Sequence, residues 1–101
     1  GNQQGGIRMS DVVTIDGELY IQRGDVNHKV IKGWESISGD YLFATELEDK
    51  NYGGYPLWFG FVQGTFEEWG RIWEGEMSRQ VKSGILWEIK PQDLPHAGRR
   101  Y

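Results

Sequence analysis

The sequence contains no cysteine and only three prolines in 101 residues. Without cysteine there can be no disulfide framework, thiolate zinc site or cysteine nucleophile, a pattern that fits an intracellular protein. The chain also lacks any apolar run near the ~20 residues that span a bilayer, and no signal-peptide pattern opens it. We therefore expect a soluble, cytoplasmic protein with no membrane partner.

Basic residues are scarce in the middle of the chain. Between Glu35 and Glu76, nine carboxylates accompany only two cations, Lys50 and Arg71, and the whole chain has a net charge of −4. Proteins that bind nucleic acid through its phosphates usually carry a basic surface. We therefore predict that duplex DNA is not a partner, although the residues from Met77 onward are net basic and predict a second, basic face.

Aromatic residues and glycine are abundant instead, with five Trp, five Tyr, four Phe and fifteen Gly. This composition predicts short strands and tight turns around an aromatic core. From Leu57 to Val62 both alternating faces are apolar or small, which is the pattern of a strand covered on both sides. Gly60, inside this strand, indicates either a close approach of a bulky neighbour or another backbone, or a groove for a ligand.

Local patterns before this strand predict a hairpin, an edge strand and a loop. Asp16-Gly17 lies between two β-branched segments and predicts a hairpin over residues 12–22. Residues 28–34 are expected to form a short edge strand whose lysines discourage stray pairing. Residues 48–56 combine charges, Asn, Gly and Pro, and predict the longest exposed loop.

Residues 74–82 are predicted to form a helix, because acids lead, bases trail and Met77 and Val81 are four apart. A final strand is expected over residues 85–90, with Ile85, Trp87 and Ile89 inward. The sequence therefore predicts an α+β fold, with a bent, mostly antiparallel sheet of about five or six strands and one short helix.

We expect one domain, over residues 9–94, because no linker divides the chain. Residues 1–8 are polar, rich in glycine and without periodicity, and are interpreted as a flexible lead or processing remnant. Residues 95–101 are expected to form a loose basic tail.

Four motifs occur in a fixed order, namely Ala44-Thr45-Glu46, the segment 59–64, the segment 68–73 and Glu74-Gly75-Glu76-Met77. Over residues 44–90 this order resembles a family of uncharacterised small proteins, a domain of unknown function found in bacterial, phage and plasmid genes. The resemblance implies a compact α+β domain, of mobile-element origin, with no established activity.

Several aromatic residues exceed what a small core needs, and Tyr and Trp are favoured at binding surfaces. The candidate binding residues are Trp58, Gly60, Trp69, Arg71, Trp73, Tyr52 and Tyr55. If the chain is an enzyme, Glu46 and Glu68 are the candidate acid/base pair. No metal site and no cofactor are expected, because His28 and His96 are isolated from any ligand cluster.

These features favour a non-enzymatic binding module that engages a protein partner through an acidic and aromatic surface. A small carboxylate-dependent hydrolase is an alternative, and it requires Glu46 and Glu68 to share a cleft. A single-stranded nucleic-acid binder is another, and it requires a basic groove lined by Trp or Tyr. The oligomeric state is not predicted.

Overall fold

The computed structural model describes residues 12–64 and 67–93. The described residues form eight strands, which are β1 (Val12–Ile15), β2 (Glu18–Arg23), β3 (Val26–Lys29), β4 (Lys32–Ser36), β5 (Tyr41–Tyr52), β6 (Tyr55–Gln63), β7 (Glu67–Trp73) and β8 (Leu86–Ile89). The helix α1 (Glu74–Lys82) lies between β7 and β8, and a 3-10 turn (Pro91–Asp93) follows β8. Within this part of the chain, no helix has the length and apolar character needed to cross a membrane. The predicted lead, 1–8, and tail, 95–101, lie outside it.

The strands form two antiparallel sheets. The small sheet has the order β1-β2-β3, and the large sheet has the order β7-β6-β5-β4-β8. Consecutive hairpins build β4 to β7, after which α1 carries the chain to the opposite edge, where β8 pairs with β4. The predicted class, an antiparallel α+β fold with one short helix, is confirmed, and the helix bounds agree with the prediction.

The division into two sheets occurs within the segment predicted to be one edge strand. The Val30 amide donates to the carbonyl of Leu19 in the small sheet, whereas the next amide, of Ile31, donates to Ala44 in the large sheet. The chain therefore passes from one sheet to the other between these two residues. The prediction of a single edge strand over residues 28–34 is therefore wrong. His28 and Lys29 do end an edge strand, β3, but Lys32 begins β4, which lies between β5 and β8 inside the large sheet.

The predicted loop over residues 48–56 is also wrong, because β5 and β6 continue through it as a long hairpin. Only Gly53 and Gly54 form the turn, with φ angles of 63° and 93°. Positive φ at both central residues is what a tight hairpin turn requires, and glycine adopts it without steric strain. The charged residues lie on an exposed strand, and two register shifts, between Leu47 and Asp49 and between Asp49 and Tyr52, fall among them.

Each face of the large sheet covers its own core. On one face the small sheet encloses a cluster made of Leu19, Ile21, Val30, Tyr41, Phe43 and Phe61. On the other face α1 encloses a cluster made of Trp34, Ala44, Trp58, Ile72, Met77 and Leu86. The two-sided apolar pattern of β6 is thus explained, because Phe61 faces the small sheet and Trp58 faces the helix.

The last strand differs from the prediction in which residues it buries. Leu86 is buried on the helix side, and Ile89 packs against the small-sheet core. Ile85 and Trp87, predicted to point inward, are 44% and 42% exposed. The physical reason is that β8 is the edge strand of the large sheet. It contributes Leu86 to one core and Ile89 to the other, and only β4 pairs with it, so its remaining side chains stay partly exposed.

Gly60 marks a close approach of β5 to β6. A Cβ atom at Gly60 would collide with the carbonyl oxygen of Phe43 on β5. The pairing register shifts at the same place, since Ala44 is opposite Gly60 but Glu46 is already opposite Phe59. The intervening Thr45 donates a hydrogen bond from its hydroxyl to the Phe59 carbonyl, at 3.2 Å. Of the two sequence interpretations, the structure supports an approach of another backbone.

We predict that Gly60→Ala lowers the free energy of unfolding by more than about 2 kcal/mol, because a single methyl group meets backbone that cannot rotate away. Gly70, directly opposite on β7, is the matched control, since a Cβ there meets no atom within 4 Å. Gly70→Ala should leave stability unchanged or raise it by up to about 1 kcal/mol. Equal denaturation midpoints for the two variants would contradict this account.

Candidate functional site

The candidate binding residues divide among five places in the structure. Trp58 lies in the helix-side core, and Gly60 lies against the backbone of the neighbouring strand β5, so neither offers a surface to a partner. Trp69 belongs to a cluster beneath the small sheet, and Arg71 forms an exposed ion pair. Tyr52, Tyr55 and Trp73 are the three that come together.

Trp58 has a structural role on the helix side. Its indole Nε1 donates to Glu74 Oε1 at 2.7 Å, and Lys32 Nζ donates to Glu74 Oε2 at 2.8 Å. The Glu74 side chain is 17% exposed and that of Lys32 is 27% exposed, so the charges are partly desolvated and paired. The carboxylate therefore fixes the start of α1 to β4 and β6.

Trp69 packs where β7 meets the small sheet. Its ring stacks on Phe59 with centroids 5.8 Å apart and lies 5.2 Å from His28. The Arg23 guanidinium lies over the same ring, 4.9 Å from its centroid. Because this chain's own side chains occupy its surroundings, Trp69 joins the two sheets instead of facing a partner.

Arg71 extends from the exposed side of β7. Its Nε donates to Glu48 Oε1 at 3.0 Å, and the arginine side chain is 72% exposed. An ion pair this exposed contributes little to stability, on the order of 0–1 kcal/mol. In the free protein the two charges are therefore paired with each other, on a different part of the surface from the exposed tyrosines.

The remaining three aromatic residues form one exposed group at the end of the β5–β6 hairpin, and we call Tyr52, Tyr55 and Trp73 the tip cluster. Each tyrosine ring meets the Trp73 ring edge-on, with centroids 6.1 Å apart and interplanar angles of 90° and 87°. The tyrosines are opposite each other across the hairpin. They remain 55% and 41% exposed.

Two glycines let the Trp73 ring lie close to the backbone. A Cβ at Gly75, the second residue of α1, would be 2.5 Å from Trp73 Cζ2, and a Cβ at Gly53 would be 3.3 Å from it. The indole Nε1 also donates to the carbonyl of Tyr52 at 2.7 Å. Trp73 is therefore held between the hairpin turn and the start of the helix.

Side-chain hydrogen bonds to backbone amides stabilise the hairpin turn. Asp49 Oδ1 accepts from the Asn51 amide at 3.0 Å, and Asn51 Oδ1 accepts from the Gly54 amide at 2.9 Å. Short polar side chains that bond neighbouring amides stabilise turns in this way. The two tyrosines thus flank a turn that is held by these hydrogen bonds and by the bond from Trp73 to the Tyr52 carbonyl.

The candidate catalytic carboxylates are not brought together. Glu46 is opposite Phe59 and Glu68 is opposite Val62, and directly opposed residues share a face of a sheet. Phe59 and Val62 are an odd number of residues apart on β6, so they point to opposite faces. Glu46 and Glu68 therefore lie on different faces, two strands apart.

Among the cavities that the described residues form, two adjoin the sheets. The larger, about 650 Å³, is lined by Gly17, Glu18, Leu19, Lys29, Val30, Ile31 and Pro91. Its charged groups form an ion pair at 2.6 Å between Lys29 and Glu18, in which the hydrogen bond and charge of the carboxylate raise the pKa of Lys29 above its usual value. The smaller, about 310 Å³, lies between α1 and the large sheet, and Tyr55 and Glu74 reach it.

Across residues 12–64 and 67–93, no three His, Asp or Glu side chains are close enough together to hold a metal ion. The described histidine, His28, instead contacts the ring of Trp69. The part of the chain that the structure describes therefore supplies no metal ligand set to the tip cluster.

Sequence reasoning missed the residues that support the tip cluster. The sequence assigns Glu74 and Gly75 to a motif at the start of a helix but indicates no contact of either with an aromatic ring, and it does not single out Gly53. A signal for Gly75 was present, because glycine is unfavourable inside a helix by about 1 kcal/mol and indicates a packing requirement there. In the segment Trp73-Glu74-Gly75, the first residue supplies the ring of the tip cluster, the second bonds the helix to the sheet, and the third leaves room for the ring.

Comparisons with protein-family models, curated proteins and solved structures gave no match to this chain. The functional argument therefore depends on the geometry of its own residues.

We predict opposite effects of Gly75→Ala in two backgrounds. In the natural chain the added methyl group collides with the Trp73 ring, so the variant should lose more than about 1 kcal/mol of stability. In a Trp73→Phe background the colliding ring atoms are absent, and the same change should gain up to about 1 kcal/mol through helix propensity. Chemical denaturation of the four proteins measures both values. A gain in both backgrounds would show that Gly75 does not make room for Trp73.

Proposed function

We propose that this protein is a non-enzymatic binding module that recognises another protein through the tip cluster. The observation that carries the proposal is the arrangement of Tyr52 and Tyr55, which are exposed although Trp73, the hairpin turn and α1 hold them in place. Tyr and Trp residues contribute much of the binding energy at protein interfaces. We further propose that the protein acts in the cytoplasm, and its origin in a mobile element remains a prediction.

Rigidity supports binding because it reduces the entropy lost when a partner docks. An exposed side chain that becomes immobilised costs about 0.5–1.5 kcal/mol of binding free energy. Trp73 is fixed by its hydrogen bond to Tyr52 and by the two glycines against it. A partner that contacts the tip cluster would therefore pay less of this cost.

The alternatives find less support in the geometry. The hydrolase requires Glu46 and Glu68 in one cleft, and they lie on opposite faces of the large sheet. The single-stranded nucleic-acid binder could use the tyrosine rings to stack bases. However, the exposed part of β5 that leads to those rings carries three carboxylates, Glu46, Glu48 and Asp49, against the single cation Lys50, and carboxylates repel a phosphate backbone.

The proposed function is tested by selection of a phage-displayed random peptide library on the immobilised protein. We expect selected peptides to perturb the NMR signals of Tyr52, Tyr55 and Trp73 when they bind. The variant Tyr52→Ala/Tyr55→Ala should bind them at least tenfold more weakly, since truncating an interface hot spot costs about 2 kcal/mol or more.

Trp87→Ala provides the control, because Trp87 is exposed to a similar degree on β8 and lies outside the tip cluster. It should leave peptide affinity unchanged, and circular dichroism should show all three proteins folded. Peptides that bind the double variant as tightly as the natural chain would refute the tip cluster as the binding surface. Binding of a single-stranded oligonucleotide at the tip cluster, without selected peptides, would favour the nucleic-acid alternative.

A further inference from the structure

We propose that the tip cluster takes a cationic side chain of the partner protein, the guanidinium of arginine or the ammonium of lysine, against its aromatic rings. This inference rests on the proposed function and specifies the chemistry of the partner. It combines the ring geometry, the occupied indole donor, the acidic strand that leads to the cluster and the lack of a cation over its rings among the residues that the structure describes.

The ring geometry leaves aromatic faces available. Tyr52 and Tyr55 both meet Trp73 at nearly a right angle. An edge-on contact covers at most one face of each tyrosine ring, and both rings are about half exposed. Exposed aromatic ring faces bind ammonium and guanidinium groups, because the negative ring face attracts the cation.

The indole donor is not available to a partner, since Trp73 Nε1 is already bonded to the carbonyl of Tyr52. Recognition of a peptide carbonyl by that N–H, as in grooves that bind proline-rich segments, would require breaking the bond. What the cluster presents outward is its ring faces and the two phenol hydroxyls of the tyrosines, whose oxygens can accept from the N–H groups of a cation. This favours a ligand group that interacts with ring faces.

Charge around the cluster favours a cation over a neutral group. The exposed part of β5 carries the carboxylates of Glu46, Glu48 and Asp49 and the single cation Lys50. Glu48 is paired with Arg71. In the part of the chain that the structure describes, Asp49, three residues before Tyr52 on the same strand, has no ion-pair partner, and its charge lowers the potential near the tyrosines.

The same chain places its own cations on tryptophan elsewhere. Arg23 lies 4.9 Å from the ring centre of Trp69, and Lys32 lies 5.8 Å from that of Trp34. Over the tip cluster, by contrast, the described residues place no lysine or arginine within cation–π distance. An external cation would complete there the contact that Arg23 and Lys32 make at the other two sites.

The test compares two capped peptides that differ in one charge, Gly-Gly-Arg-Gly-Gly and the same peptide with citrulline, the neutral isostere of arginine. Each is titrated into the full chain and followed by NMR through the Trp73 indole N–H and the tyrosine rings. We expect saturable shifts at the tip cluster with the arginine peptide, and affinity at least about threefold lower with the citrulline peptide.

Two variants separate the ring faces from the charge. Tyr52→Leu/Tyr55→Leu keeps apolar bulk but removes the π systems, and should abolish the difference between the peptides. Asp49→Asn keeps the oxygen that accepts from the Asn51 amide and removes only the charge. It should weaken the arginine peptide about two- to fivefold and leave the citrulline peptide unchanged.

Equal affinity of the two peptides, or no saturable shift at the tip cluster up to the solubility limit, would overturn the inference. The library selection distinguishes this failure from failure of the proposed function. Selected peptides that bind the tip cluster but contain no arginine or lysine would support the proposed binding function and refute only the inference of a cationic ligand group. If neither the library nor the arginine peptide binds, both the proposed function and the cationic ligand group are refuted.

Discussion

The close approach of β5 and β6 at Gly60 is the constraint on which the other features depend. Only a hydrogen side chain fits there, because the Phe43 carbonyl occupies the space of a Cβ. The register shift at this point, followed by two more along β5, lets the hairpin extend past the packed part of the sheet while remaining paired. The tip cluster exists because the hairpin reaches the start of α1.

Trp73 connects three levels of the structure. As the last residue of β7 it belongs to the large sheet, and its backbone precedes the first residue of α1. Its ring contacts both tyrosines of the hairpin turn. At the same helix end, Glu74 anchors the backbone to Trp58 and Lys32. Adjacent residues thus fix α1 to the sheet on one side and the hairpin tip to α1 on the other.

Much of the fold could be predicted because local chemistry decides it. The positive φ angles of Asp16 and Gly17, at 53° and 80°, are those that an Asp-Gly hairpin turn needs. The helix follows from its spacing and charge order. Both features arise between neighbours in the sequence, which is where pattern reasoning is strongest.

The predictions that were wrong involve contacts between distant residues. Lys32 to Trp34 were assigned to an edge because sequence shows polarity but not that Ile31 bonds to Ala44. The charged residues of β5 predict a loop, because a strand that is exposed on both faces is as rich in polar residues as a loop and lacks the alternation that identifies a half-buried strand. At the site, Trp58 and Tyr52 are equally aromatic in sequence, and only the tertiary partner Glu74 shows which one is structural.

The central claim is that the tip cluster is a surface ordered before any partner arrives. The most direct measurement is backbone and indole ¹⁵N relaxation of the free protein at Tyr52, Gly53, Gly54, Tyr55 and Trp73. The account predicts order parameters near the ~0.85 of rigid structure at all five positions. Values below about 0.6 at the turn or at the Trp73 indole would show that the cluster is flexible on the ps–ns timescale and would contradict the account.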